Sequence, residues 1–271
     1  MQSHPAAALE SLLAFWTEAG VDALYQDAPH DRLAEGARRA APPKPAVVAR
    51  APGPVAARPA AIDAGSALRE AQRAAAACTT LVELTSAIAA FDGCGLKRAG
   101  AARQAVFARG APEADVMVIG EAPGAEEDVQ GRPFVGRSGQ LLDRMLAAAG
   151  LEGRVFITNT VFWRPPGDAQ PSPQDQAICE PFLHRAIVIV KPQVLLLTGG
   201  AAAKSVLKMS EGILSLRGRW SEWTDPESGA TLPAMATLHP AFLLRQPQAK
   251  KKSWSDLMSL RARLDRLQGL A

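Results

Sequence analysis

The sequence predicts an α/β protein, a three-layer sandwich built around a four-stranded, mostly parallel sheet. Three observations predict it. Short apolar runs recur at 116–119, 155–158, 194–198 and 234–238 without polar alternation, as expected of strands covered on both faces. Helical patterns at 138–149, 173–190 and 201–208 lie between those runs, and strands alternating with helices form parallel sheets. Aromatic residues are scarce, at 5%, while alanine is abundant; small side chains let helices lie close on a sheet.

The elements follow in order. Leu9, Leu12, Leu13, Trp16, Val21 and Leu24 recur at helical spacing, so residues 1–25 read as a helix. Residues 26–64 carry Pro42, Pro43, Pro45, Pro52, Pro54 and Pro59 among Ala, Arg and Gly, the composition of a partly extended linker. A compact domain occupies 65–271. Helices are expected at 66–79 and 80–90, then the first strand at 116–119. The other strands and helices alternate after it, with a further strand at 218–223 and a closing helix at 254–267.

The 271 residues suit one domain with extras, and 48% hydrophobic residues fill an α/β core. A net charge of +3 is mildly basic and compatible with a polyanion partner. The three cysteines, Cys78, Cys94 and Cys179, are too few and odd in number for a disulfide framework. No apolar run approaches the eighteen or so residues of a membrane span, and Met1 to Pro5 lack a basic leader. A soluble, monomeric, cytoplasmic protein is expected, with no membrane partner.

The loop after the first strand carries the chemistry. Gly120-Glu121-Ala122-Pro123-Gly124 leads through Asp128 to Gly131-Arg132-Pro133-Phe134-Val135-Gly136. Open α/β sheets bind ligands at the carboxyl ends of their strands, and two glycines with a proline set an unusual backbone path there. Glu121, Asn159 and His239 each follow a candidate parallel strand. A turn glutamate is ordinarily solvated, a post-strand asparagine ordinarily forms a turn, and a histidine before proline is ordinarily structural. All three at one rim point instead to a shared site. The alternative of a nucleotide-binding protein rests on Gly199-Gly200 alone, without a glycine fingerprint.

The ordered set Gly120 to Gly124, Glu127-Asp128, Gly131 to Gly136, Asn159 with Arg164-Pro165-Pro166-Gly167, and His239-Pro240-Ala241-Phe242-Leu243-Leu244-Arg245 resembles family 4 uracil-DNA glycosylases. The resemblance spans roughly 81–264. It implies an enzyme that turns uracil out of single- or double-stranded DNA and hydrolyses its glycosidic bond, leaving abasic DNA. It implies Phe134 as the stacking platform and Asn159 as the reader of the base edge. It places Ala122, Gly124 and Glu127 around the uracil, with Glu127 blocking a C5 methyl. Glu121 and His239 are the expected catalytic residues, the first placing the water or balancing the sugar cation and the second bonding uracil O2. The segment from His239 to Arg245 is expected to enter the minor groove, with Leu243 or Leu244 filling the vacated space. Arg137, Ser138, Arg245 and Lys250 are the expected phosphate contacts. In family 1 relatives an Asp stands at the place of Ala122. The histidine of a covalent mode known among relatives has no counterpart between Gly120 and Gly136.

The resemblance also implies a four-iron, four-sulfur cluster on four cysteines. Cys94 and Cys179 match the second and fourth positions, but Phe91 and Trp163 stand at the first and third. No cofactor is therefore expected, with two aromatic rings filling the space. His184, five positions beyond Cys179, fits one helix face poorly as a substitute ligand. Asp168-Ala169 stands where the family carries Asn-Arg, which weakens a DNA contact. The rival reading is a glycosylase-like protein that binds uracil or abasic DNA with little turnover.

Overall fold

The computed structural model describes residues 63–269. The helix expected at 1–25 and all but the last two residues of the linker lie outside the described residues. Asp63 ends that linker as a helix cap, its carboxylate accepting from the N–H groups of Gly65 and Ser66. Helix α1 (Ala64–Ala76) buries Ala67, Ala71 and Ala75, a stripe at i, i+4 and i+8. Helix α2 (Leu81–Ala90) starts from a capping box between Thr80 and Glu83. A single turn, α3 (Gly95–Arg98), follows Cys94.

The sheet has six strands in the order β1-β3-β2-β4-β6-β5. These are β1 (Ala108–Gly110), β2 (Val116–Gly120), β3 (Val155–Asn159), β4 (Val194–Thr198), β5 (Trp220–Thr224) and β6 (Thr231–Thr237). The four central strands are parallel, as expected. The expected four-stranded sheet is corrected to six strands: β5 is the further strand expected at 218–223, β1 has no counterpart among the expected strands, and both edge strands pair antiparallel. β1 is only three residues long and none of its residues is buried, so it has no apolar run to betray it. β5 draws β6 back from residue 234 to Thr231 by hairpin pairing.

Helices cover both faces. They include α4 (Ala125–Gln130), α5 (Arg137–Ala148), α6 (Pro173–Val190), α7 (Gly200–Leu207), α8 (Ile213–Leu216), α9 (Pro240–Arg245) and α10 (Lys250–Leu267). Met117, Ile119, Leu195 and Leu197 pack with α1, α2, α6 and α7. Their neighbours Val116, Val118, Val194 and Leu196 face α5 and α10 through Leu142, Leu146, Leu257 and Leu260. Successive side chains of a strand point to opposite faces, so two covered faces leave β2, β3 and β4 buried throughout. The chain passes from β2 to β3 on one side and then to β4 on the other, which opens a crevice at the carboxyl ends of these strands.

Candidate active site

The loop leaving β2 folds against a second loop, 131–136, and one side chain ties them. Glu127, on α4, accepts at Oε1 from the N–H groups of Val135 and Gly136, each at 2.9 Å, and at Oε2 from Gly124 N–H at 3.2 Å. Between these anchors Phe134 adopts φ 55°, a left-handed conformation rare for a bulky residue. Its carbonyl lies where a Cβ on Gly139 would stand, and its ring lies against Gly120. A Cβ on Gly120 would sit 2.5 Å from Phe134 Cζ and would overlap Asn159 Oδ1 as well. The absent methyl group brings ring and amide together across one backbone atom.

Asn159 ends β3 directly beside Gly120 in the ladder. It is 1% exposed, and neither its amide nitrogen nor its oxygen has a hydrogen-bond partner among the described residues. Buried polar groups are nearly always paired; here both amide atoms are free to bond the edge of a base. His239, following β6, caps α9: its Nδ1 accepts from Ala241 N–H at 3.2 Å. That bond leaves the proton of the neutral ring on Nε2. Burial first, then the Arg245 charge, lowers its pKa from 6.5 to about 4, against an opposing pull from Glu127. The imidazole is therefore neutral at physiological pH. Its centroid lies 5.8 Å from that of Phe134, at 33° between planes.

A cavity of about 790 Å³ opens over Phe134 and His239, and Glu121, Ala122, Gly124, Glu127, Ser138 and Arg245 also line it, whereas the buried Asn159 packs against Phe134 at Gly120 and is not among the lining residues. Thr160 Oγ donates to the Glu121 carbonyl at 2.7 Å and fixes that residue's backbone. Burial raises the pKa of the Glu121 carboxyl, offset in part by a hydrogen bond to Gln170.

The chain matches the model of the uracil DNA glycosylase superfamily over residues 107–258. It is 38% identical to the type-4 uracil-DNA glycosylase of Sulfurisphaera tokodaii over 163 residues, 58% of this chain and 73% of that protein. It is 36% identical to the type-4 uracil-DNA glycosylase of Pyrobaculum aerophilum over 160 residues, 57% of this chain and 81% of that protein. This chain belongs to the type-4 uracil-DNA glycosylases. The match covers the central sheet, the cavity and the segment from His239 to Arg245.

Not every residue expected from the family reaches the cavity. Leu243 is fully buried against Leu141 and Leu238, so the expectation that it meets DNA is corrected: it faces the core from α9. Leu244 is partly exposed, and Phe242, which sequence reasoning passed over, lines the cavity. Arg137 is exposed on the first turn of α5 and Lys250 opens α10, both outside the cavity lining. Three lysines in the first turn of α10 oppose the helix dipole, a local conflict of the kind found at binding surfaces. Gln170 was also missed; nothing in a loop glutamine signals that it meets Glu121. Asp168 pairs with Arg164 at 2.7 Å on the cavity rim, which offsets that cation.

The residues at the family's cluster position do not fit four iron atoms. Cys94 Sγ and Cys179 Sγ lie 4.0 Å apart, both fully buried. Cys78 points elsewhere, its thiol bonded to the Ala74 carbonyl. Phe91 and Trp163 lie in the same buried cluster as these two thiols, with ring centroids 6.5 Å apart and Phe182 edge-on to Phe91 at 5.2 Å. Burial pushes the Cys179 thiol well above its ordinary range. Among the described residues no group of three or more His, Cys, Asp or Glu is placed to hold a metal ion. Nor, among them, is any helix long and apolar enough to cross a membrane.

Proposed function

We propose that this protein hydrolyses the N-glycosidic bond of deoxyuridine in DNA, releasing uracil and leaving an abasic site. The observation that carries this reading is the buried, unpartnered Asn159 amide beside a ring and a neutral imidazole. Each unpaired buried group costs about 1–3 kcal/mol, and a uracil edge satisfies both. The amide NH₂ donates to O4, and its oxygen accepts from N3–H. Cytosine reverses both polarities, and a mismatch of that kind supports roughly 10⁴–10⁵ discrimination. Phe134 stacks on the turned-out base, adding about 1–3 kcal/mol without regard to its identity.

Thymine is refused by shape. The wall from Glu121 to Glu127 is held rigid because the Glu127 carboxylate bonds three backbone N–H groups, so it has little freedom to yield to a C5 methyl. In the reaction the C1′–N1 bond breaks and its electron pair leaves with uracil. His239 Nε2–H bonds O2 as charge gathers there, and one such donor is worth about 2.7–4 kcal/mol. Water adds its oxygen to C1′, and the proton it gives up neutralises the uracil anion through solvent. Glu121 orients that water or offsets the positive sugar, and the Ala122 backbone flanks the base. The neutral imidazole can play this role because Nδ1 accepts from Ala241 N–H and leaves the ring proton on Nε2.

Ser138, Arg137, Arg245 and Lys250 hold phosphates of single- or double-stranded DNA, and Leu244 enters the space left by the base. The protein acts as a cytoplasmic monomer without an iron–sulfur cluster, its aromatic cluster serving in place of the metal staple. The glycosylase domain begins at the helix capped by Asp63.

Incubation with uracil-containing oligonucleotides, single- and double-stranded, tests this directly. Alkali-labile abasic sites are expected with the wild type and are lost in His239→Ala. Binding of the oligonucleotide without any release would establish the rival, a binder with little turnover.

A further inference from the structure

Phe134 carries a backbone cost. A left-handed conformation disfavours an L-residue by about 1–2 kcal/mol, and such strain persists only where the surroundings over-determine it. Glu127 secures the amides that follow Phe134. The carbonyls of Pro133 and Phe134 are secured by a residue outside every motif of the chain. Arg109, the middle residue of edge strand β1, donates from Nε to the Pro133 carbonyl at 2.7 Å and from Nη2 to the Phe134 carbonyl at 3.0 Å. Nη2 also donates to Asp143 on α5 at 2.7 Å. The Arg109 side chain is 15% exposed. Its planar fork fits two successive carbonyls, an arrangement a point-charge ammonium cannot copy.

The same strand reaches the other half of the site. β1 pairs with β3 so that Arg109 lies opposite Ile157 and Ala108 opposite Thr158, the residue before Asn159. Thr158 Oγ donates to the Phe107 carbonyl at 2.7 Å in the buried ladder. One three-residue strand therefore holds the base platform through a side chain and pairs through its backbone with the strand that ends in the edge reader.

We infer that Arg109 is a positioning residue for uracil excision, setting Phe134 in register with Asn159 by clamping the Pro133 and Phe134 carbonyls. The inference rests on the proposed glycosylase reading. Arg109 touches neither base nor sugar and acts through the ring.

A double-mutant cycle on single-turnover uracil release tests it. Displacement of a reacting group's support by about 1 Å can slow a reaction up to about 100-fold, so Arg109→Ala is expected to release uracil about 10–100-fold more slowly. Arg109→Lys is expected to fall between Arg109→Ala and wild type. Asp143→Ala, which leaves both carbonyl bonds in place, stays within about threefold. Because Arg109 works through the ring, Arg109→Ala in a Phe134→Ala background has no further effect, whereas independent residues multiply their losses. Thermal midpoints of each variant separate lost folding from lost positioning. If Arg109→Ala does not fold, the cycle is run with Arg109→Lys. Wild-type rates in Arg109→Ala, or in Arg109→Lys where that variant is used, would overturn the inference, as would losses that multiply with Phe134→Ala. No release by the wild type would instead overturn the glycosylase reading.

Discussion

Replacing Gly120 with alanine adds one methyl group at the point where the base platform and the edge reader meet. The new Cβ would stand 2.5 Å from Phe134 Cζ and overlap Asn159 Oδ1. Carbon atoms in contact prefer about 3.5–4.0 Å, so the ring must retreat by roughly 1 Å. The amide must turn or shift at the same time. A misplacement of about 1 Å can cost 10²-fold in rate, or about 2.7 kcal/mol of barrier. Crowding a packed site also costs about 1–3 kcal/mol of stability. Gly120 does not occupy the left-handed region that only glycine tolerates well, so the backbone accepts alanine and the effect is steric. Single-turnover release from a uracil oligonucleotide, with thermal unfolding measured alongside, is the assay. A Gly120→Ala variant that is stable and works within threefold of wild type would refute the claimed contact between ring and amide.

Other outcomes follow from the same structure. The depressed pKa of His239, about 4 against an ordinary 6.5, means the unfolded chain takes up a proton before the folded one. Stability should thus decline as pH falls from about 6.5 to about 4, by at most about 3 kcal/mol. Urea titrations should show this slope flattened in His239→Ala. Excision should keep a constant His239 contribution above about pH 5, and loss of that contribution near pH 7 would contradict the neutral ring. Arg217→Ala strips the partner from Asp256, which is 2% exposed and also accepts from Thr237 Oγ at 2.7 Å. Leaving that carboxylate unpaired should cost about 3–5 kcal/mol in denaturant unfolding. The purified protein should contain no stoichiometric iron, and Trp163→Ala should cost about 3–5 kcal/mol by opening the aromatic cluster; bound iron would contradict the expected absence of a cluster.

The central strands could be read in the sequence because they are buried on both faces and so appear as unbroken apolar runs. β1 could not, since its three residues include a charged one at the centre and take their stability from β3 and from the carbonyls that Arg109 holds. The last helix begins at Lys250, four residues before the expected start, because a lysine run carries no apolar stripe to mark it. In the site, Asn159 and His239 were legible from their places after strands. The contact of Phe134 with Gly120 was not, because it depends on a left-handed residue and a missing Cβ. Leu243 and Leu244 are alike in sequence, and only the packing of α9 on Leu141 and Leu238 decides which one is buried. Gln170 and Arg109 act across long sequence separations without any motif, so local pattern could not reveal them.

The most direct measurement is mass-spectrometric detection of free base released from oligonucleotides that differ only in carrying uracil, cytosine or thymine at one site. Wild type is expected to release uracil alone, and Asn159→Ala to lose that release by about 10²–10³-fold, the loss typical when one side chain bonding the reacting group is removed. Release of uracil by Asn159→Ala at the wild-type rate would contradict the reading of the base by that amide.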